Sequence, residues 1–65
     1  MQLEITEHAK KKMVIHGITA TQIKKAITQG AKFEQTDGLL AQYSYIRVAY
    51  KKRGSVYLVK TVFIE

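Results

Sequence analysis

The sequence predicts an α+β fold in which two N-terminal helices pack on a three-stranded antiparallel β-meander. Up to Gly30 the apolar residues recur at helical spacing, and after it they recur at every second position. The pair Asp37-Gly38 is typical of a hairpin turn between two strands. The chain has 65 residues, no proline and no linker-like stretch, so it predicts a single domain, residues 1–65.

The first helix is expected to begin at Thr6 and to end at Gly17. The Thr6 hydroxyl can accept a backbone N–H bond as an N-cap, and Gly17 tolerates the left-handed conformation that ends many helices. Ala9 and Met13 lie one turn apart, on the side that should face the core. This helix therefore presents a narrow apolar stripe to the sheet.

The second helix is expected to run from Thr19 to Gly30. Thr19 and Gln22 have the spacing of a capping box, in which each side chain bonds the backbone of the other residue. The apolar residues of this segment share one face. They are Ile23, Ala26 and Ile27.

Three strands should follow, over Lys32 to Thr36, Leu39 to Tyr50 and Val56 to Ile64. A tight connection joins the last two, and its even length fixes which residues share a face. The face toward the helices should hold Ile46, Val48, Tyr50, Tyr57, Val59, Thr61 and Phe63. The opposite face should hold Tyr43, Tyr45, Arg47, Leu58, Lys60 and Val62.

The charge favours a polyanionic partner. The chain has eleven Lys and Arg residues and five Asp and Glu residues. Its formal charge of +6 attracts nucleic acid. The alternative use of such a charge is solubility. The residues expected to contact nucleic acid are Lys11, Lys51, Lys52, Arg53, Lys60 and Tyr43. The same sheet face can instead pack against a second copy of the chain, so a homodimer is the other hypothesis.

Several classes of function are not expected. No apolar run is long enough for a membrane helix, and no apolar leader follows Met1, so a soluble cytoplasmic protein without a membrane partner is predicted. The chain has no cysteine, which removes thiolate chemistry and sulfur-based zinc sites. His8 and His16 lie about two helical turns apart without a suitably spaced carboxylate. We therefore expect no metal and no cofactor.

His8 is the side chain best suited to chemistry, because an imidazole exchanges a proton near neutral pH. Lys12 lies one helical turn further and shares an edge with it. The structural alternative is a ring at the helix edge that bonds to backbone. His16, beside Gly17 at the end of the helix, is expected to pack or to interact with the last carbonyl groups.

The run His8-Ala9-x-x-Lys12-Met13-x-x-His16-Gly17-Ile18-Thr19 resembles the H-A-x-x-R-M-x-x-R-G-I-S/T signature of a widespread family of short, uncharacterised microbial proteins. The second helix and the closing YSYIRVAYKKRGSVYLVKTVFIE segment also fit that family. The family is similar in fold to the RelE/ParE and BrnT toxins, many of which cleave RNA without a metal. The resemblance implies a RelE-like, metal-independent ribonuclease toxin of a toxin–antitoxin system.

The resemblance also assigns roles. It places His8 at the family's histidine, Lys12 at its first arginine, and Arg47 and Thr61 at polar positions of the two long strands. Because His8 lies beside cations and metal ligands are missing, we expect RNA to be cleaved by transesterification through its own 2′-hydroxyl. His8 would be the base, and Lys12 and Arg47 would stabilise charge on the phosphate. The proton for the leaving oxygen would come from Tyr45, Tyr50 or a protonated histidine such as His16. The implied partners are RNA, free or on the ribosome, and an acidic antitoxin. Lys12 and His16 stand where the family has arginines, and neither offers the planar guanidinium that binds two phosphate oxygens. A non-catalytic nucleic-acid-binding or dimerising module is therefore the alternative.

Overall fold

The protein is a five-stranded mixed sheet with two helices, as seen in a computed structural model that describes all 65 residues. The elements are β1 (Gln2–Ile5), α1 (Glu7–His16), α2 (Ala20–Gln29), β2 (Ala31–Gln35), β3 (Gly38–Tyr43), β4 (Ile46–Arg53) and β5 (Val56–Ile64). The strand order is β1-β5-β4-β3-β2, with β1 parallel to β5 and the other pairs antiparallel. The α+β class is confirmed, but the three-stranded antiparallel meander is wrong.

The first strand, β1, is missing from the predicted meander. It pairs with the beginning of β5, from Gln2 opposite Val56 to Ile5 opposite Val59. Leu3 and Ile5 pack against the core. Two alternating apolar residues are too short a pattern to identify a strand, and the partner that stabilises β1 lies at the other end of the chain.

The expected strand from Leu39 to Tyr50 is in fact two strands, β3 and β4. The chain reverses at Ser44 and Tyr45, so that Tyr43 lies opposite Ile46. Ser44 has a φ of 57°, in the left-handed region that hairpin turns normally fill with glycine or asparagine. Because Ser-Tyr is not a typical turn pair, this reversal has no recognisable signal in the sequence.

A β-bulge at Lys60 makes the predicted sheet faces wrong for the second half of β5. Tyr50 lies opposite Val59 but Ala49 lies opposite Thr61, which leaves Lys60 without a partner on β4. One extra residue reverses the alternation of side chains beyond it. Val62 therefore lies in the core with Val59, whereas Thr61 and Phe63, which were expected there, are on the other side.

Both helices pack on the same face of the sheet, and their ends agree with the sequence. The Thr6 hydroxyl accepts from the Ala9 N–H at 3.1 Å, and Gly17 has a φ of 67°. The capping box between Thr19 and Gln22 is present. The core holds Ala9, Ile18, Ile23, Ala26, Ile27, Ala41, Ile46, Val48, Tyr50, Val59 and Val62. The opposite face, which we call the outer face, has no helix on it.

Candidate functional site

His8 is held against β5 at the place where β1 ends. The Thr6 N–H donates to the Val59 carbonyl at 3.2 Å, and the Thr6 hydroxyl donates to the Lys60 carbonyl at 3.1 Å. These two bonds fix the first turn of α1 at the edge of β5. They bring the His8 Nε2 to 3.1 Å from the Thr61 Oγ1. His8 therefore bonds to a side-chain hydroxyl of β5.

Arg47 lies on the strand next to this pair. Arg47 lies opposite Phe63 and Ala49 lies opposite Thr61, so Arg47 and Thr61 are diagonal neighbours on the outer face. The Arg47 Nη2 is 2.6 Å from the Glu65 Oε2. The Arg47 side chain is 27% exposed, and its Nε is buried without a hydrogen-bond partner. This guanidinium is thus partly satisfied and within reach of solvent.

Lys12 and His16, the other α1 residues proposed for chemistry, are both partly buried. Lys12 is half-buried one turn beyond His8. His16 is also half-buried, and its Nε2 is buried without a hydrogen-bond partner. An imidazole nitrogen enclosed in this way cannot meet a phosphate ester in solvent. His16 is therefore better explained by packing at the end of α1.

The two candidate tyrosines do not join His8. Tyr50 is 3% exposed and packs on Tyr57, with ring centroids 5.8 Å apart. Burial, followed by the neighbouring Tyr57, raises the pKa of the Tyr50 hydroxyl. A buried phenol with a raised pKa is a poor proton donor to an external substrate. Tyr45 is 51% exposed, but it lies in the β3–β4 turn.

A cluster of three cationic side chains lies around Asp37 in the β2–β3 turn. The Lys51 Nζ lies 3.0 Å from the Asp37 Oδ1, and the Lys60 Nζ lies 3.8 Å from the Oδ2 and also donates to the Asp37 carbonyl. The hydrogen bond from Lys51, together with the charges of Lys51, Lys60 and Arg53, lowers the pKa of the Asp37 carboxyl. The sequence predicted Asp37 only as a turn residue, because its role depends on strand register.

The outer face combines these cations with apolar groups. By register it carries Arg47, Lys51 and Arg53, together with Phe33, Leu40, Ala49, Leu58 and Phe63. Lys60 joins these cations through its contact with Asp37. Leu40 and Ala49 are each 8% exposed although no helix covers them. Neighbouring side chains on the same face, including long lysine and arginine stems, can provide that cover. Phe33 stays 49% exposed.

The remaining residues predicted to contact nucleic acid lie elsewhere. The Lys52 Nζ is 5.5 Å from the centre of the Tyr57 ring, on the helix side of the sheet. Lys11 is exposed on α1. Tyr43 was expected on the outer face, but its partner Ile46 belongs to the core, so Tyr43 points toward α2. Only Lys51, Arg53 and Lys60 of the six come together.

Two surface hollows lie apart from these groups. One, of about 450 Å³, is lined by Lys10, Met13, Val14, Gly17, Ile18 and Thr19. The other, of about 230 Å³, is lined by Gln22, Lys25, Tyr43, Ser44, Tyr45 and Ile46. Neither contains His8, Lys12 or Arg47. The cations and the imidazole are therefore arranged along a sheet face and its edge, and not around one cavity.

No three His, Asp or Glu side chains come together in a way that could hold a metal ion. Neither helix is long and apolar enough to span a membrane.

Comparison with known proteins adds no relative. No family model, no curated protein and no solved structure matches this chain. The resemblance of the His8 to Thr19 segment to a microbial family therefore stays a prediction.

Proposed function

We propose that this protein binds single-stranded RNA on the outer face of its sheet. The observation that carries the proposal is the combination of four cations with exposed and half-buried aromatic rings on a face that no helix covers. Proteins that bind single strands use cationic side chains for the phosphates and aromatic rings for the bases. Phe33 and Phe63 are the rings on this face.

The carboxylates on this face support the proposal. Glu65 contacts Arg47, and Asp37 contacts both Lys51 and Lys60. Each carboxylate is an oxygen anion held where a phosphate oxygen could bind instead. The Glu65 and Asp37 side chains are 59% and 69% exposed, and ion pairs of exposed carboxylates contribute little to stability. Exchanging a carboxylate for an RNA phosphate therefore has a low cost.

Fluorescence anisotropy with a labelled single-stranded RNA tests this proposal. Four phosphate contacts would make log K fall with log salt with a slope of roughly −3. Replacing Lys51 and Lys60 together by Gln should reduce that slope by about half. The matched control replaces Lys24 and Lys25, exposed residues of α2, by Gln. It removes the same charge and should leave binding close to wild type.

The control pair also defines the contrary result. If both double variants weaken binding equally, RNA responds to the net charge of the molecule and not to the outer face. If binding hardly varies with salt, few phosphates are engaged. Either result contradicts the proposal.

A second candidate function, cleavage of the bound RNA without a metal, rests on the contact between His8 and Thr61. If the His8 Nε2–H donates to the Thr61 hydroxyl, the Nδ1 is left to accept a proton. It would take that proton from a ribose 2′-hydroxyl as the 2′-oxygen bonds to the adjacent phosphorus. The bond from phosphorus to the 5′-oxygen breaks, the 5′-oxygen takes a proton from water, and the hydroxide that remains takes the proton held by His8. The products are a 2′,3′-cyclic phosphate and a 5′-hydroxyl.

The nearby cations would act on the phosphate in this reaction. Arg47 lies diagonally from Thr61 and could bind a phosphate oxygen once Glu65 is displaced. Lys12, half-buried on the turn after His8, would add a positive charge beside it. An enzyme of this kind would serve as a toxin, and a small acidic antitoxin protein would suit its charge.

A cleavage assay in the presence of a chelator separates the two candidates. We expect His8→Ala to abolish cleavage and to change RNA affinity only slightly. The matched control is His16→Ala, because the His16 Nε2 is enclosed and should not reach substrate. Thr61→Val keeps the side-chain shape but removes the hydroxyl, and should slow cleavage about tenfold to a hundredfold by freeing the ring. Equal cleavage by wild type and His8→Ala would leave binding alone as the function.

A further inference from the structure

The strand β2 forms an open edge of the sheet. It pairs with β3 on one side, has no strand on the other, and all five of its residues are exposed. An uncovered edge presents unpaired N–H and C=O groups to any strand that fits against it. The strand contains no proline, and its pairing with β3 is continuous from Ala31 to Gln35. Nothing in its backbone prevents a further strand from adding.

The side chains of β2 are self-complementary. Glu34 lies opposite Leu39, which packs on the core, so Lys32 and Glu34 are on the helix side of the sheet. Phe33 lies between them on the outer face and is 49% exposed. A cation and a carboxylate are therefore placed symmetrically about one exposed aromatic ring.

We propose that two copies of the chain pair antiparallel through β2, about a twofold axis that passes Phe33. In this register Lys32 lies opposite Glu34 of the second copy, and the same pair occurs again across the axis. The two Phe33 rings meet on the outer face. Directly opposed charges and aromatic rings both stabilise strand pairs. The product is one continuous sheet made from the five strands of each copy, with the helices of both copies on one side.

The charges select this register alone. If the helices of both copies stay on the same side of the sheet, the register can change only in steps of two residues. One shift brings Lys32 opposite Lys32 and the other brings Glu34 opposite Glu34, and like charges directly opposite are destabilising. Turning one copy over, with helices on opposite sides, places Lys32 or Glu34 opposite Phe33 or a neutral residue. None of these arrangements forms an ion pair.

Other surfaces suit a second copy less well. Val14 and Ile15 on α1 are 83% and 70% exposed, but the lysine run of residues 10–12 lies within one turn of them. A twofold contact there would bring the two lysine runs together. The outer face has the same difficulty because of its four cations. The β2 edge carries one cation and one carboxylate, so two copies that pair there do not repel each other.

The predicted dimer should depend on concentration. Five residues from each copy form a small interface compared with the roughly 1,200 Å² or more of stable complexes. Sedimentation equilibrium of the wild-type chain, in a series that reaches millimolar concentration, should show a reversible monomer–dimer equilibrium. A wild-type chain that stays monomeric throughout the series would overturn the proposal.

Charge reversal gives the decisive test. Lys32→Glu alone places two carboxylates opposite each other, and Glu34→Lys alone places two lysines opposite each other. We expect each variant to dimerise at least about tenfold more weakly than wild type. An equimolar mixture of the two should form a heterodimer, and the double variant with both charges exchanged should dimerise as wild type does.

The mixture also serves as the folding control, since misfolded variants could not restore association on mixing. If Lys32→Glu dimerises as strongly as wild type, or if the mixture stays monomeric, the β2 register is wrong and association uses another surface. Hydrogen exchange adds an independent readout. Backbone amides of β2 should become more protected with concentration in wild type, and not in Lys32→Glu.

Discussion

Among individual residues, the candidate site depends on a few polar atoms placed by backbone contacts. The Thr6 hydroxyl both caps α1 and bonds β5, and this double role brings the His8 ring to Thr61. Asp37 has a similar double role in its turn, since it follows β2 and holds Lys51 and Lys60 of two other strands. Short side chains thus connect segments that are far apart in the sequence.

Asp37 gives a prediction about pH. Its pKa in the folded protein is lowered, so the ionised form adds a stabilisation above the carboxyl's ordinary titration range, which exposure to solvent keeps small. That stabilisation should be lost as the pH falls through the lowered value. Asp37→Asn keeps a residue that suits the turn and should flatten the acid side of the stability curve, measured by urea unfolding at a series of pH values.

Among the strands and helices, the bulge at Lys60 decides what β5 presents to each side. The beginning of the strand places Tyr57 and Val59 toward the helices, whereas its second half places Val62 there. Without the bulge, Phe63 would point into the core and Val62 would be exposed. The pairing between Thr61 and Ala49, and with it the position of the hydroxyl near His8, depends on this one extra residue.

Deleting Lys60 should therefore cost far more than truncating its side chain. The deletion forces one half of β5 to turn its apolar residues to the wrong face, and we expect a loss of about 3 kcal/mol or more, enough to unfold so small a domain. Lys60→Ala keeps the bulge and should cost less than about 1 kcal/mol. Chemical denaturation of the two variants checks this. Equal stability of the two would mean that the register does not depend on the bulge.

Features that depend on nearby residues could be predicted from the sequence, and features that depend on distant residues could not. The ends of both helices could be predicted because their signals, such as Thr19 with Gln22, lie within one turn of each other. The strand β1 and the bulge could not, because each is defined by a partner strand. His8 was identified as a candidate by its chemistry. Its contact with Thr61 required a register that the sequence does not reveal.

For the protein as a whole, the fold separates its surfaces by role. The helices cover one face and bury most of the apolar core, while the outer face keeps the cations proposed to bind phosphate. The edge strand β2 lies beside both faces, so adding a second copy there would leave the outer face open. The two proposals share Phe33, but the charged residues that each of them uses are different.

The parallel pairing of β1 with β5 has a consequence during protein synthesis. The Thr6 hydroxyl bonds a residue 54 positions later in the chain, so the N-terminal strand must wait for the C-terminal one to leave the ribosome. Until then the apolar stripes of both helices lack their sheet, and the nascent chain exposes surface that chaperones recognise. The fold therefore cannot form until β5 has been synthesised, and a chain truncated before β5 would remain a target for proteolysis.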